Sequence, residues 1–234
     1  MKLIDKYEDV PTRDAGVPVI PVMIVPVLAR PELLYRMIDS IDFPVEQLVI
    51  IDNGRVVDPR QAQTPYARTR HLLSMPVNFG VAGSWNLGIK STPFAPWWLI
   101  ANFDLVWPAG SLQRLAEASS SSALTLTACE PAWSAFTIGD KIVDTVGLFD
   151  EAFHPAYFED NDYQRRCEKA DARIERTEIP VRHDNSSTLA AGGYAARNRH
   201  SYPANSEYFN DKVEGGNFSE GGWTLARRRK LSWD

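Results

Sequence analysis

Leu48-Val49-Ile50-Ile51-Asp52-Asn53-Gly54 decides the fold: an unbroken apolar run rich in β-branched residues stops at a polar, turn-forming end. A strand that is apolar at every position is buried on both faces, as strands are inside a parallel sheet covered by helices. Val22-Met23-Ile24-Val25, upstream, has the same texture. Between the two runs Pro31 suits the first position of a helix, and Leu33, Leu34, Met37, Ile38 and Ile41 share one helical face. Strand, helix and strand make a βαβ crossover.

Working outward, a second helix follows the small-residue loop 80–84, carries Trp85, Leu87 and Ile89, and ends before Pro93. Trp97-Trp98-Leu99-Ile100-Ala101 reads as a third buried strand, and a further helix starts after Gly110 with Ser111 as its cap. Alternating strands and helices predict an α/β fold with a doubly wound sheet. Strand-like pieces then crowd together at Leu124-Thr125-Leu126-Thr127, Ala135-Phe136-Thr137-Ile138 and Lys141-Ile142-Val143. An acidic helix from about residue 161 to 170 precedes a short strand near 173–179. This half is expected to pair in antiparallel or mixed fashion and to complete the same domain. Past His183 the chain turns polar and Gly-rich. Residues 191–234 are read as a lid or tail that docks on a domain of residues 1–190 through Tyr194, Tyr202, Tyr208, Phe209, Phe218 and Trp223.

A chain of 234 residues suits one such domain, which buries roughly 70 % of its unfolded surface without a disulfide or metal staple. Cys129 and Cys167 lack metal-ligand spacing and are expected to be buried thiols in a reducing compartment. Residues 1–10 mix charges with apolar residues and do not form a secretory signal, and the apolar stretch 17–29 is broken by Pro18, Pro21 and Pro26. The expectation is a soluble, cytoplasmic protein. A net charge of -5 argues against a broad grip on nucleic acid. Arg227-Arg228-Arg229-Lys230 is read as a solvated tail that could meet an acidic surface.

Ligands of open α/β sheets bind beyond the carboxyl ends of the strands, so the polar residues that follow each apolar run are the first candidates. Asp52 and Asn53 follow the second strand: Asn53-Gly54 reads as a tight turn, and Asp52 as an acceptor for a base or ribose. Asn102 and Asp104 follow the third, two residues apart and so on one side of a strand, where a carboxylate suits a hard divalent ion shared with phosphate oxygens. The loop Asn78-Phe79-Gly80-Val81-Ala82-Gly83-Ser84-Trp85-Asn86 lets a ligand approach the backbone and precedes a helix N-terminus, but lacks the dinucleotide and P-loop spacings. If His183 returns to the sheet edge beside Asp104, its imidazole would complete a metal site there, one that favours manganese over magnesium. His71, His154 and His200 have no such partner in sequence. In Phe149–Tyr163 an aromatic loop delivers carboxylates to the start of a helix. Asp160 is its N-cap on a structural reading, or a general base in a partly dry cleft.

Taken in order, the motifs 48–54, 78–89, 102–104, 147–151 and Glu159-Asp160-Asn161-Asp162 resemble the family-2 type of GT-A glycosyltransferase. The resemblance implies the GT-A fold, a Rossmann-like nucleotide-diphospho-sugar transferase architecture with a mixed, mainly parallel sheet. It implies a nucleotide-sugar donor, UDP-linked, with Asp52 at the base or ribose and Asn53, Asn78, Gly80, Gly83, Asn86, Asn102 and Asp162 around the substrate. Asp104 and His183 would hold Mn2+ or Mg2+, and Asp160, next to Glu159, matches the acid that acts as base. The implied reaction is transfer with inversion to an acceptor on a glycan, a protein, a lipid-linked sugar or a modified nucleobase. Two departures stand out: the first strand ends in Pro26-Val27-Leu28-Ala29-Arg30 without the usual Asn, and Asn102 replaces the first acid of Asp-x-Asp. Residues 205–216 also resemble the tail of small transferases of this type, phage-encoded ones included. A nucleotidyltransferase, which would need more basic residues than Arg30 at the first turn, and a non-catalytic nucleotide-sugar-binding module are the rival readings.

Overall fold

The computed structural model describes residues 18–183 and 194–218. β1 (Ile20–Val27), α1 (Pro31–Asp39) and β2 (Val45–Asp52) form the expected crossover, with β1 and β2 parallel and Val27 opposite Asp52 at the carboxyl end. β3 (Ala67–Ser74), which the sequence did not announce, adds to β2 in parallel as an edge strand. Its Ala-Arg-Thr-Arg-His-Leu-Leu-Ser has no apolar run because one side of an edge strand faces water.

α2 (Gly80–Ser91) leads into β4 (Trp97–Ala101), which returns to the other side of β1. β5 (Leu105–Val106) follows, then α3 (Ser111–Ala118), β6 (Leu124–Leu126), a 3-10 turn at Ala132–Ser134, and β7 (Ala135–Gly139). α4 (Asp140–Val146), α5 (Glu159–Lys169), β8 (Ile174–Arg176), β9 (Arg182–His183) and α6 (Tyr194–Gly215) complete the described chain. The main sheet has seven strands in the order β3-β2-β1-β4-β7-β6-β8; β7 runs antiparallel to both neighbours and the other pairings are parallel. β5 and β9 pair separately, with Leu105 opposite His183.

Alternate residues of each inner strand feed two cores. Met23, Val25, Leu48, Ile50 and Leu99 meet α1 and α3 on one face, and Val22, Ile24, Val49, Ile51 and Trp98 meet α2, α4 and α5 on the other. Both faces are covered, so the expected α/β sandwich of a mixed, mainly parallel sheet between helices is what forms.

Four local readings are corrected. Residues 141–143 belong to helix α4, since the two apolar residues Ile142 and Val143 are too few to separate a strand from a buried helical turn. Gly110, with φ 75°, caps α3 in place of Ser111, and its N–H donates to Asp42 Oδ2. Phe158, with φ 74° and no capping side chain, precedes α5, so Asp160 lies in the first turn and is not the N-cap. Much of the expected lid is α6, a helix despite Pro203 inside it. The basic cluster 227–230, Trp223, Gly192-Gly193 and Gly221-Gly222 lie outside the described residues, as do the first ten residues and the side chain of Tyr194. Among the described residues no helix is long and apolar enough to cross a membrane. Cys129 and Cys167 are buried free thiols, raised to about 11 and about 12 chiefly by burial.

Candidate active site

The strand order reverses at β1, which has β2 on one side and β4 on the other. A crevice opens beyond the carboxyl ends of such strands. A cavity of about 500 Å³ occupies it, reached by Val27 and Leu28 after β1, Asn53 after β2 and Asn102 to Asp104 after β4. The antiparallel β7 begins at the same edge, with Ala135 opposite Ala101, and brings in Trp133 and Ser134.

Two close approaches shape this edge. A Cβ on Gly54 would fall inside the van der Waals envelope of the Leu28 carbonyl, so the tips of β1 and β2 touch only because residue 54 is glycine. Gly80 has φ +73°, and a Cβ there would come within 2.9 Å of both His154 Cδ2 and the Pro155 carbonyl. That contact seats the loop before α2 against the acidic loop. The Val81 N–H donates to Pro155 O at 2.8 Å, and His154 Nε2 lies 3.1 Å from Asn78 O, a partner that the sequence did not reveal for this histidine.

Asn53, Asn78, Gly80 and Asn102 line the cavity. Asn53 Nδ2 donates to Ser84 Oγ and its Oδ1 accepts from the Phe79 N–H, which pins the loop to the tip of β2. The remaining candidates for substrate contact are not among the lining residues. Asp52 is buried, and its two oxygens accept the Val56 and Val57 amides at 3.0 Å each. Gly83 is spaced from Phe79 and Glu151 at ordinary contact distance. Asn86 clips α2 to the next loop, accepting from the Phe149 N–H and donating to Phe149 O and Glu151 Oε1. Asp162 turns away to Arg166 Nε at 2.8 Å and Lys212 Nζ at 2.5 Å. Asp52, Asn86 and Asp162 are polar because a buried backbone or charge needs them, a demand that sequence does not distinguish from ligand binding.

Asp104 and His183, distant in sequence, meet in the cavity because β5 and β9 pair. His183 Nε2 lies 3.1 Å from Asp104 Oδ1, and its Nδ1 lies 3.2 Å from the Glu130 carbonyl and 3.3 Å from Ser134 Oγ. A carbonyl only accepts, so Nδ1 carries the proton and Nε2 is left to share a proton or a cation with Asp104. Carboxylate plus neutral imidazole is a donor set that fits a divalent ion such as manganese. Among the described residues no third His, Cys, Asp or Glu joins them, so substrate oxygens would complete the coordination.

Glu159 and Asp160 enter the same cavity from the first turn of α5. Tyr157 and Phe158, at φ 79° and 74°, form a left-handed pair that turns the chain into the helix, a conformation costly for bulky residues and frequent at functional sites. Glu159 is 6 % exposed, and its Oε2 has no hydrogen-bond partner. Burial first, then the adjacent Asp160 charge, raise it to about 8 against the pull of the Glu159 and Tyr157 amides, so it is protonated at neutral pH. Asp160 is also raised by burial, with the Asn161 amide, donating to its Oδ1 at 2.8 Å, pulling the other way. Phe149, Phe153 and Tyr163, expected in the cleft wall, are buried beneath it, while Tyr157 and Phe158 line it. Arg30, the basic residue at the first turn, pairs with Glu32 and is not among the residues that line the cavity.

The sequence did not identify Trp133 or Lys212. Lys212 Nζ, from α6, lies 2.8 Å from Asp150 Oδ2 as well as against Asp162, buried among the Phe153, Tyr208 and Phe218 rings. Asn205 Nδ2 donates to Ala156 O at 2.8 Å, and Tyr202 lines the cavity. The segment that carries the two acids is thus held by α6. The signal was a lysine at residue 212 in a helix read as a tail.

No protein-family model matches the chain, and no curated protein matches it in sequence. Among solved structures it is similar to S. aureus TarS 1–349, with a TM-score of 0.55 at 13 % identity, over 82 % of this chain and 72 % of that one. It is also similar to a mycobacterial protein, with a TM-score of 0.53 at 13 % identity, over 80 % of this chain and 74 % of that one. At such identity the likeness is one of fold alone, and that fold is of the GT-A type.

Proposed function

We propose that the chain is a metal-dependent, inverting glycosyltransferase that moves a sugar from a nucleoside diphosphate, with UDP as the nucleotide, to an acceptor hydroxyl. The observation that carries this reading is a single cavity to which the turn after β4 and strand β9 bring Asp104 and His183, and the start of α5 brings Glu159 and Asp160. Asn53, Asn78, Gly80 and Asn102, on the same edge, are the donor contacts of this reading. Mn2+ or Mg2+ held by Asp104 and His183 would stabilise charge on the departing diphosphate. Asp160 takes the proton of the acceptor hydroxyl, a contribution of about 10²- to 10⁴-fold in rate. A base that acts on the sugar face opposite the leaving group gives inversion. Glu159, being protonated, donates a hydrogen bond where Asp160 accepts a proton. Two buried free thiols fit a reducing compartment such as the cytoplasm.

Asp160→Asn is expected to bind UDP with Mn2+ as the wild type does, by calorimetry, and to lose about 10²-fold or more of transfer. Full transfer by that variant would remove Asp160 from the mechanism. Asp104→Ala is expected to abolish the manganese dependence of UDP affinity. A wild-type affinity that is the same with and without metal would overturn the metal role.

A further inference from the structure

The aromatics of α6 divide into two kinds. Phe209 lies nearly parallel to Phe158, with centroids 5.5 Å apart, and Tyr208 leans on Phe153 at 4.9 Å with its hydroxyl donating to Asp150. Those rings fasten the helix. Tyr202 does something else. It lines the cavity that holds Glu159 and Asp160, meets Tyr157 edge-on at 5.3 Å and Phe158 at 5.2 Å, and still keeps 50 % of its surface exposed.

A ring braced by two others at the mouth of a cavity gains from an apolar surface laid against it. The charge of the wall restricts what that surface belongs to. Asp104, Glu159 and Asp160 line the cavity, and among the described residues no Lys or Arg does. With Glu159 protonated, a phosphodiester chain or an acidic peptide laid on Tyr202 would bring its negative charge to the Asp160 carboxylate, which no Lys or Arg among the described lining residues answers. A sugar ring presents an apolar C–H face together with hydroxyls, and the carboxyl groups that line the same cavity as Tyr202 include Glu159, whose Oε2 lacks a partner.

We propose that Tyr202, backed by Tyr157 and Phe158, is the stacking platform of the acceptor subsite, and that the acceptor ring it takes is an uncharged carbohydrate whose hydroxyl faces Asp160. This rests on the transferase reading of the same cavity. It separates the acceptor half, built by α5 and α6, from the donor half at the ends of β1, β2 and β4.

The test is saturation-transfer NMR of the full chain with UDP and Mn2+ against methyl glycosides of glucose, galactose and N-acetylglucosamine, with methyl glucuronide and an oligothymidylate as charged arms. At least one neutral glycoside is expected to receive saturation at its ring C–H protons. Tyr202→Ala and Tyr202→Leu should each weaken that binding about 3- to 10-fold, while Tyr202→Phe, which keeps the ring, retains it. Leu preserves apolar packing, so loss in both variants with an unchanged circular dichroism spectrum assigns the effect to the ring. No neutral glycoside binding to the wild type, undiminished binding in both ring-less variants, or stronger binding of either charged arm would overturn the proposal. Calorimetry with UDP and Mn2+ on the wild type reads the donor assignment separately: failure there with glycoside binding intact would sink the donor reading and leave the stacking subsite standing.

Discussion

At the scale of single residues, the fold that holds Glu159 works against its charged form. In the unfolded chain it ionises near 4.5 and in the folded protein near 8, so folding takes up a proton across that window and stability falls as pH rises through it. At pH 7 the penalty is on the order of 3 kcal/mol. Glu159→Gln is therefore expected to raise the melting temperature at pH 8, with the gain shrinking towards zero below about pH 4.5. Thermal denaturation at both pH values checks this, and an equal gain at both would assign the effect to packing. Residue identity was legible where chemistry and position agree: Asn78, Asn102, Asp104, Glu159, Asp160 and His183 all line one cavity. It misled where a polar side chain serves the backbone. Asp52 and Asn86 have the composition of ligand-binding residues, yet their hydrogen-bonding capacity is used on loop amides and carbonyls.

At the scale of elements, α5 and α6 form a lock around the acidic segment. Lys212 bridges Asp150 and Asp162 from a position only 6 % exposed, and Arg166 holds the other oxygen of Asp162. Lys212→Met would leave the buried Asp162 and the partly buried Asp150 short of a cation, at a cost of about 3–5 kcal/mol. Burial pushes Asp150 up, but Lys212, the Ala152 amide and the Tyr208 hydroxyl outweigh it and hold the carboxyl below the usual range. Its contribution is present above the unfolded value and lost as pH falls through the folded one. Urea titrations should accordingly show a large deficit for Lys212→Met at pH 7 and a smaller one near pH 3; a deficit independent of pH would contradict the ion bridge. On the other side of the loop, Asn86→Ala removes three hydrogen bonds, two of them buried, and is expected to cost about 2–4 kcal/mol by the same measurement. The inner strands could be read in advance because each is apolar throughout. α6 could not, since Pro203 and a polar composition conceal a helix whose inward face is set by the partners it docks on.

At the scale of the whole molecule, residues 1–190 and the tail are expected to unfold as one unit, because Lys212, Asn205 and Phe209 join α6 to the core. Calorimetry of the full chain should show a single transition, and a chain ending at residue 193 should melt lower, with Asp150 and Asp162 stripped of Lys212. Two resolved transitions would make the tail a separate body. The sequence by itself determined the βαβ start, the strands that end at Asp52 and Ala101, and the identity of the acids and the histidine that meet in the cavity. These are local matters: an uninterrupted apolar run has to be buried on both faces, and the crevice of an open α/β sheet lies beyond its carboxyl end. Tertiary structure alone decided the rest. The pairing of β5 with β9 carried His183 to Asp104, the docking of α6 made Tyr202 and Lys212 neighbours of the acidic loop, and β3 found its place as an edge. Those contacts depend on which distant surfaces meet and on how burial divides charge between them, and no window of sequence contains both partners.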